Sequence, residues 1–155
     1  MKVNFKVLPL ESSLFDSFNS LSGCELQNAK WIEVDACPGY PCRVSLEDAK
    51  VGERVLSVTF MHHRANTPYQ SSGPIFVREN AKHAITEVNE IPHMLRHRLL
   101  SIRGYSPEGI MLEAEVTEGA VLEEYITKLF QNSEIEYIHI HNAKPGCFNC
   151  SVVRA

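Results

Sequence analysis

Apolar and polar positions alternate with a period of two through several short stretches of the chain and follow a helical period in fewer, which divides the sequence into elements. Residues 3–8 alternate weakly as a first strand. Glu11-Ser12-Ser13 then opens a short helix whose Leu14, Phe15, Phe18 and Leu21 recur at helical spacing, and Gly23 ends it. Trp31 to Asp35 has strand composition, the Pro38-Gly39-Tyr40-Pro41 turn closes it, and a helical turn follows at 45–49. From Arg54 to Phe60, Leu56, Val58 and Phe60 share one face while Val55, Ser57 and Thr59 share the other, and Pro74 to Arg78 repeats the pattern more briefly.

Ile91, Leu95, Leu99 and Ile102 predict a helix that begins near Pro92 and breaks near Leu99, with His93, Arg96 and His97 outward. A three-residue loop at Pro107-Glu108-Gly109 pairs Leu100 and Ile102 with Leu112, Ala114 and Val116 and sets Arg103 opposite Glu113 as a cross-strand ion pair. Leu122, Ile126, Leu129 and Phe130 form the apolar stripe of an amphipathic helix, with Glu123, Glu124 and Lys128 facing water. Strands with singly interspersed helices predict one α+β domain over residues 1–155, with a largely antiparallel sheet, two or three helices and a C-terminal β-hairpin.

Composition narrows the class. At 155 residues, 44% hydrophobic and 22% charged, the chain has the make-up of a globular domain rather than a disordered one. A net charge of -4 argues against nucleic acid as a partner. No apolar stretch approaches a membrane span, and Met1-Lys2-Val3-Asn4-Phe5-Lys6 lacks the apolar block of an export signal, so a cytoplasmic location without membrane attachment is expected. The odd set Cys24, Cys37, Cys42, Cys147 and Cys150 then reads as free thiols.

The candidate chemistry gathers in Glu136 to Val152, two alternating runs around Pro145-Gly146. Pairing His141 with Cys147 aligns Ile138 and Ile140 with Phe148, Cys150 and Val152 on one face, and Tyr137, His139, His141, Cys147, Asn149 and Ser151 on the other. Residues three apart in a strand point to opposite faces, so Cys147 and Cys150 do not form a knuckle; Cys150 is core and Cys147 joins the histidines. Three chemistries fit. His139, His141 and Cys147 are zinc-compatible ligands, with Cys42 or a water as a fourth. His141 next to Cys147 is the pairing that activates a thiol for nucleophilic catalysis. A noncatalytic pocket for a small anion is the third, and a protein-interaction domain without chemistry is the rival class.

Two further loops bear on the site. Cys37 to Arg43 is proline-rich, with a cis bond plausible at Tyr40-Pro41, and it holds Cys42 and Arg43 at a pocket rim with Tyr40 packed beside them. Thr67 to Pro74 offers hydroxyls including Ser72 before a strand that ends in Arg78, a second anion clamp beside Arg43. His62 and His63 are adjacent, so in a regular strand at most one points into a pocket, and surface positions are the default.

The blocks Pro38 to Arg43, Ser72 to Arg78, Met94 to Arg98 and Tyr137 to Phe148 together resemble the bacterial domain-of-unknown-function family 1203 over essentially the whole chain. The resemblance implies a standalone bacterial protein whose pattern includes Cys42, His139, His141 and Cys147, and it implies no reaction. The expected site is therefore a small-molecule site where the 38–43 and 71–78 loops meet the polar face of the last hairpin. There His139, His141, Cys147 and Cys42 carry the chemistry, and Arg43, Arg78, Ser72 and Tyr40 bind the ligand.

Overall fold

The computed structural model describes residues 2–20 and 28–155. The chain runs β1 (Phe5–Leu8), a 3-10 helix (Ser12–Ser20), β2 (Ala29–Glu33), β3 (Arg54–His63), β4 (Ser71–Arg78), α1 (His93–Arg96), β5 (Leu99–Tyr105), β6 (Met111–Glu118), a 3-10 turn (Gly119–Val121), α2 (Leu122–Phe130), β7 (Tyr137–Asn142) and β8 (Phe148–Arg154). Leu21, the expected helix stop at Gly23, and Cys24 lie outside the described residues.

The strands form a five-stranded sheet in the order β1-β8-β7-β5-β6 and a three-stranded sheet in the order β2-β3-β4. All of their pairings are antiparallel, which makes this the α+β domain that the alternating pattern predicts. The stripe of α2 covers one face of the large sheet: Leu122, Ile126, Leu129 and Phe130 pack with Leu100, Ile102, Ile138, Ile140, Cys150 and Val152. The small sheet has its own core, where Leu56, Val58, Ile75 and Val77 meet Phe15, Cys42 and Val44. No helix among the described residues is long and apolar enough to cross a membrane.

Local expectations fail where the backbone departs from regular geometry. The helix near Pro92 is only four residues long, and Leu99 already belongs to β5. It cannot continue as a free helix because Gly119 docks on it so closely that a Cβ there would lie 1.7 Å from the Leu95 carbonyl oxygen. Residues 45–49 form no helix: Leu46 has φ 54° and Pro41 bridges to Asp48. The cis peptide bond is Cys37-Pro38 rather than Tyr40-Pro41.

Bulges decide the faces. The expected register of the β5–β6 hairpin holds at Tyr105–Met111, where Gly109 takes φ 89° as the loop requires. A bulge at the next step pairs Gly104 with Glu113 and Arg103 with Ala114, so the Arg103–Glu113 pair is not formed. One inserted residue reverses the faces. Glu113 and Glu115 reach Asn132 and Lys128 at the helix side, and Leu112, Ala114 and Val116 are exposed on the other face.

Candidate metal centre

The face of the large sheet turned away from α2 is polar and aromatic. Direct cross-strand pairs share a face, so Ser101–His141, Arg103–His139 and Tyr105–Tyr137 line up in rows along β5 and β7. His139 and His141 therefore stand side by side as their alternation requires, both buried, with ring centroids 6.4 Å apart. The third imidazole comes from the other sheet. The β3–β4 ladder shifts register between Phe60 and His63, and the irregular end of β3 brings both His62 and His63 against His139, at centroid separations of 6.3 and 5.1 Å.

The expected pairing of His141 with Cys147 is not formed. His141 faces Phe148, Ile140 faces Cys150, and Asn149 is the extra residue between them. Phe148 is thereby moved from the core face to the histidine face, where it stacks on His62 and meets His139 and His141 edge-on. Cys150 and Val152 keep their place in the core opposite Ile140 and Ile138, as the sequence predicts, because the bulge and the turn together displace them by an even number of residues.

One nitrogen from each of His62, His139 and His141 lies within 4.8 Å of the other two. The hydrogen-bond pattern fixes the tautomer of His141. His141 Nδ1 lies 2.8 Å from the Gly146 carbonyl oxygen, which can only accept, so Nδ1 carries the proton and Nε2 is left as a bare lone pair. His62 Nε2 is 3.2 Å from Ser71 Oγ, which leaves Nδ1 unused. Among the described residues five buried side-chain polar atoms have no partner, and three of them are His62 Nδ1, His139 Nδ1 and His141 Nε2. Buried polar atoms are normally paired, so three unpartnered ring nitrogens in one cluster set this face apart from the rest of the interior.

Electrostatics hold these rings neutral. Burial is the main cause for all three: it takes His139 down to about 3, with the His63, His141 and His62 rings and Arg103 adding to the effect. His141 is also lowered to about 3 by burial, against the raising effect of the Gly146 carbonyl. Half-buried His62 falls to about 4 through desolvation, with His63 and Arg103 contributing. Neutral imidazole is the ligating form. The cluster can coordinate a metal or a small ligand, and a groove of about 440 Å³ lined by Tyr137, His139 and Ser151 approaches it from the β7–β8 side.

His63 behaves differently. Its Nδ1 is 2.8 Å from the Tyr69 carbonyl oxygen and its Nε2 is 2.6 Å from the Tyr137 hydroxyl, so both nitrogens are engaged. It walls the site without offering a lone pair. Neither histidine of the adjacent pair is a plain surface residue, and His62 is the ligand-type residue that sequence reasoning missed. The signal for it in the sequence was a second histidine directly after an alternating run.

The other expected site residues separate from the histidines. The Cys147 sulfur accepts a hydrogen bond from Asn142 Nδ2 at 3.1 Å at the hairpin turn, and no cysteine belongs to the described cluster. The ligand-type cluster among the described residues is His62–His139–His141 rather than the expected His139–His141–Cys147, and Phe148 takes the place opposite His141 that the expected register gave to Cys147. Cys42 is fully buried, its Sγ accepting from the Ser45 and Arg78 amides at 3.4 and 3.3 Å, so it serves neither as a fourth ligand nor as an accessible thiolate. Arg78 is taken by Glu53 at 2.9 Å and Glu47 at 3.2 Å and is not a free anion clamp. Ser72 is an exposed residue of β4, and the Tyr40 hydroxyl donates to Asp35 Oδ1 at 2.8 Å while its ring packs on Phe76. Of the two loops only the first delivers a polar group to the hairpin: Arg43 Nε donates to the Phe148 carbonyl oxygen at 2.7 Å.

Residues 39–154 match the family model described as "Protein of unknown function (DUF1203)". That span includes all three clustered histidines, and the chain belongs to this family. No curated protein and no solved structure matches it.

Proposed function

We propose that this DUF1203 protein is a metal-binding protein that holds one divalent transition ion, with zinc as the first choice, on His62, His139 and His141. The observation that carries this reading is the convergence of three imidazoles, one nitrogen of each within 4.8 Å of the other two, in a cluster where each ring also has a buried nitrogen without a partner. The donor set supports the choice of metal: three neutral nitrogens without carboxylate suit zinc, copper or nickel and do not suit magnesium or calcium, which take oxygen ligands. The outer contacts support it as well, since a ligating histidine normally donates its second ring N–H to a carbonyl or similar acceptor, as His141 does to Gly146. With zinc–nitrogen bonds of ~2.0–2.1 Å in a tetrahedral set, nitrogens that now lie within 4.8 Å of one another would draw together by up to about 1.5 Å through side-chain rotation.

Three protein ligands leave a tetrahedral ion one open position, the pattern of sites that bind water or substrate rather than of sealed structural ones. Arg103, in the row beside His139, supplies a positive group on that face for an anionic molecule at the open position. Elemental analysis of untagged protein purified without chelator tests the reading. The expected result is about one metal per chain, lost on dialysis against chelator and restored by zinc, with His139→Gln and His141→Gln each falling well below stoichiometry. Substoichiometric metal combined with failure to take up zinc on reconstitution would remove it.

A further inference from the structure

Arg43 is the largest polar side chain in the interior, 0% exposed, yet no carboxylate lies within ion-pair distance of it among the described residues. Nε donates to the Phe148 carbonyl oxygen and Nη1 to that of Pro41, while Nη2 has no hydrogen-bond partner. Burial disfavours the charge, and only the sulfurs of Cys147 and Cys42 nearby favour it. A buried guanidinium without a counter-charge is costly, and folded proteins seldom keep one without a use for it.

Arg43 lines a pocket of about 540 Å³, within the range of small-molecule sites. The pocket is separate from the metal centre, and none of the three clustered histidines lines it. Its walls are largely apolar, from Pro41, Phe76, Leu99 and Pro145, and its other charges are Arg98 and Lys144. Arg98 is already neutralised by Asp48, at 2.6 Å. Lys144 is exposed and has no ion-pair partner among the described residues. Cys147 stands at the edge, half-buried.

We infer that this pocket binds a small organic carboxylate, whose anionic end is taken by Arg43 and Lys144 and whose apolar body lies against Phe76, Leu99 and Pro145. The carboxylate supplies the counter-charge that the fold withholds from Arg43, and the apolar walls select an organic acid over an inorganic anion.

Cys147 reports occupancy. The full-length protein is alkylated with iodoacetamide while benzoate, benzyl alcohol or inorganic phosphate is present, and modification of Cys147 is followed by peptide mass spectrometry with exposed Cys37 as internal reference. Saturating benzoate is expected to slow Cys147 by ~fivefold or more and leave Cys37 unchanged, with chelator making no difference. Lys144→Glu, at an exposed position, is expected to weaken benzoate protection by ~tenfold. Arg43→Met should abolish protection, and if that variant does not fold the Lys144→Glu comparison decides. Absence of protection, or equal slowing of Cys37, overturns the site. Benzyl alcohol as effective as benzoate would mean an apolar cleft only, and phosphate as effective would mean an inorganic-anion site; either result also overturns the assignment.

Discussion

The His62 ring lies face to face with Phe148, the centroids 5.3 Å apart and the planes within 6° of parallel. The two residues come from different sheets, so this stack ties β3 to β8 directly above the imidazole pair of β7. Phe148 is buried and its ring also meets His139 and His141 edge-on, which makes it the packing surface against which all three rings are set. Phe148→Ala is expected to cost ~3–5 kcal/mol of stability, read by denaturant unfolding. Phe148→Leu keeps most of the volume and loses the flat surface. For this variant the expected result is a modest stability loss with zinc affinity reduced by ~tenfold in competition with a chelating dye, and unchanged affinity would show that the stack does not orient His62.

Ser71→Ala removes the partner of His62 Nε2 and nothing buried. Loss of a contact that orients a ligand typically lowers metal affinity by ~10–100-fold, and a decrease in that range with little change in thermal stability is expected here. An unaltered affinity would mean that His62 is held by Phe148 alone.

In metal-free protein the same three rings predict an acid-sensitive fold. His139 and His141 are lowered to about 3 and His62 to about 4 from an ordinary value of 6.5, so between those limits the unfolded chain binds more protons than the folded one. Stability therefore rises with pH through this window. The contribution of the neutral rings is fully present above 6.5 and is lost as pH falls toward 3. Denaturant titrations of chelator-treated protein should show this slope, and His139→Phe should flatten it; a profile level from pH 7 to 4 would contradict the neutral cluster.

Arg78 and Cys42 are assigned to structure, and the assignment is measurable. Arg78→Met breaks the pair with Glu53 and is expected to cost ~1 kcal/mol while leaving metal content and the protection of Cys147 by benzoate as they were. Loss of either would restore Arg78 to a ligand-binding role.

Thiol accessibility gives a fifth check. Burial pushes Cys150 up to about 12, and Cys42 is enclosed by two backbone amides, so both should resist alkylation of the native protein. Exposed Cys37 should react first and Cys147 next. Early labelling of Cys150 would place it outside the core and contradict the β7–β8 register.

Much of the architecture was legible along the chain. Strong periodicity gave α2 with its four buried residues, the alternation of β3, and the placement of Cys150 among Ile138, Ile140 and Val152. It also put His139 and His141 on one face, which the structure buries. These features are set by local spacing, which survives whatever the rest of the chain does.

What spacing could not supply was the effect of single inserted residues. Bulges at the end of β3, in the β5–β6 hairpin and at Asn149 turned His62 and His63 toward the same cluster, freed Arg103 from Glu113, and exchanged Cys147 for Phe148 beside the histidines. A bulge leaves almost no mark on composition because its cost is repaid by contacts distant in the chain, here between two sheets. The sequence by itself determined α2, the alternation of the main strands, the polar face of β7 and the inward thiol of Cys150. Only the tertiary structure decided that the third imidazole comes from β3 and that Arg43 and Cys147 belong to a separate pocket, because both depend on how the two sheets meet.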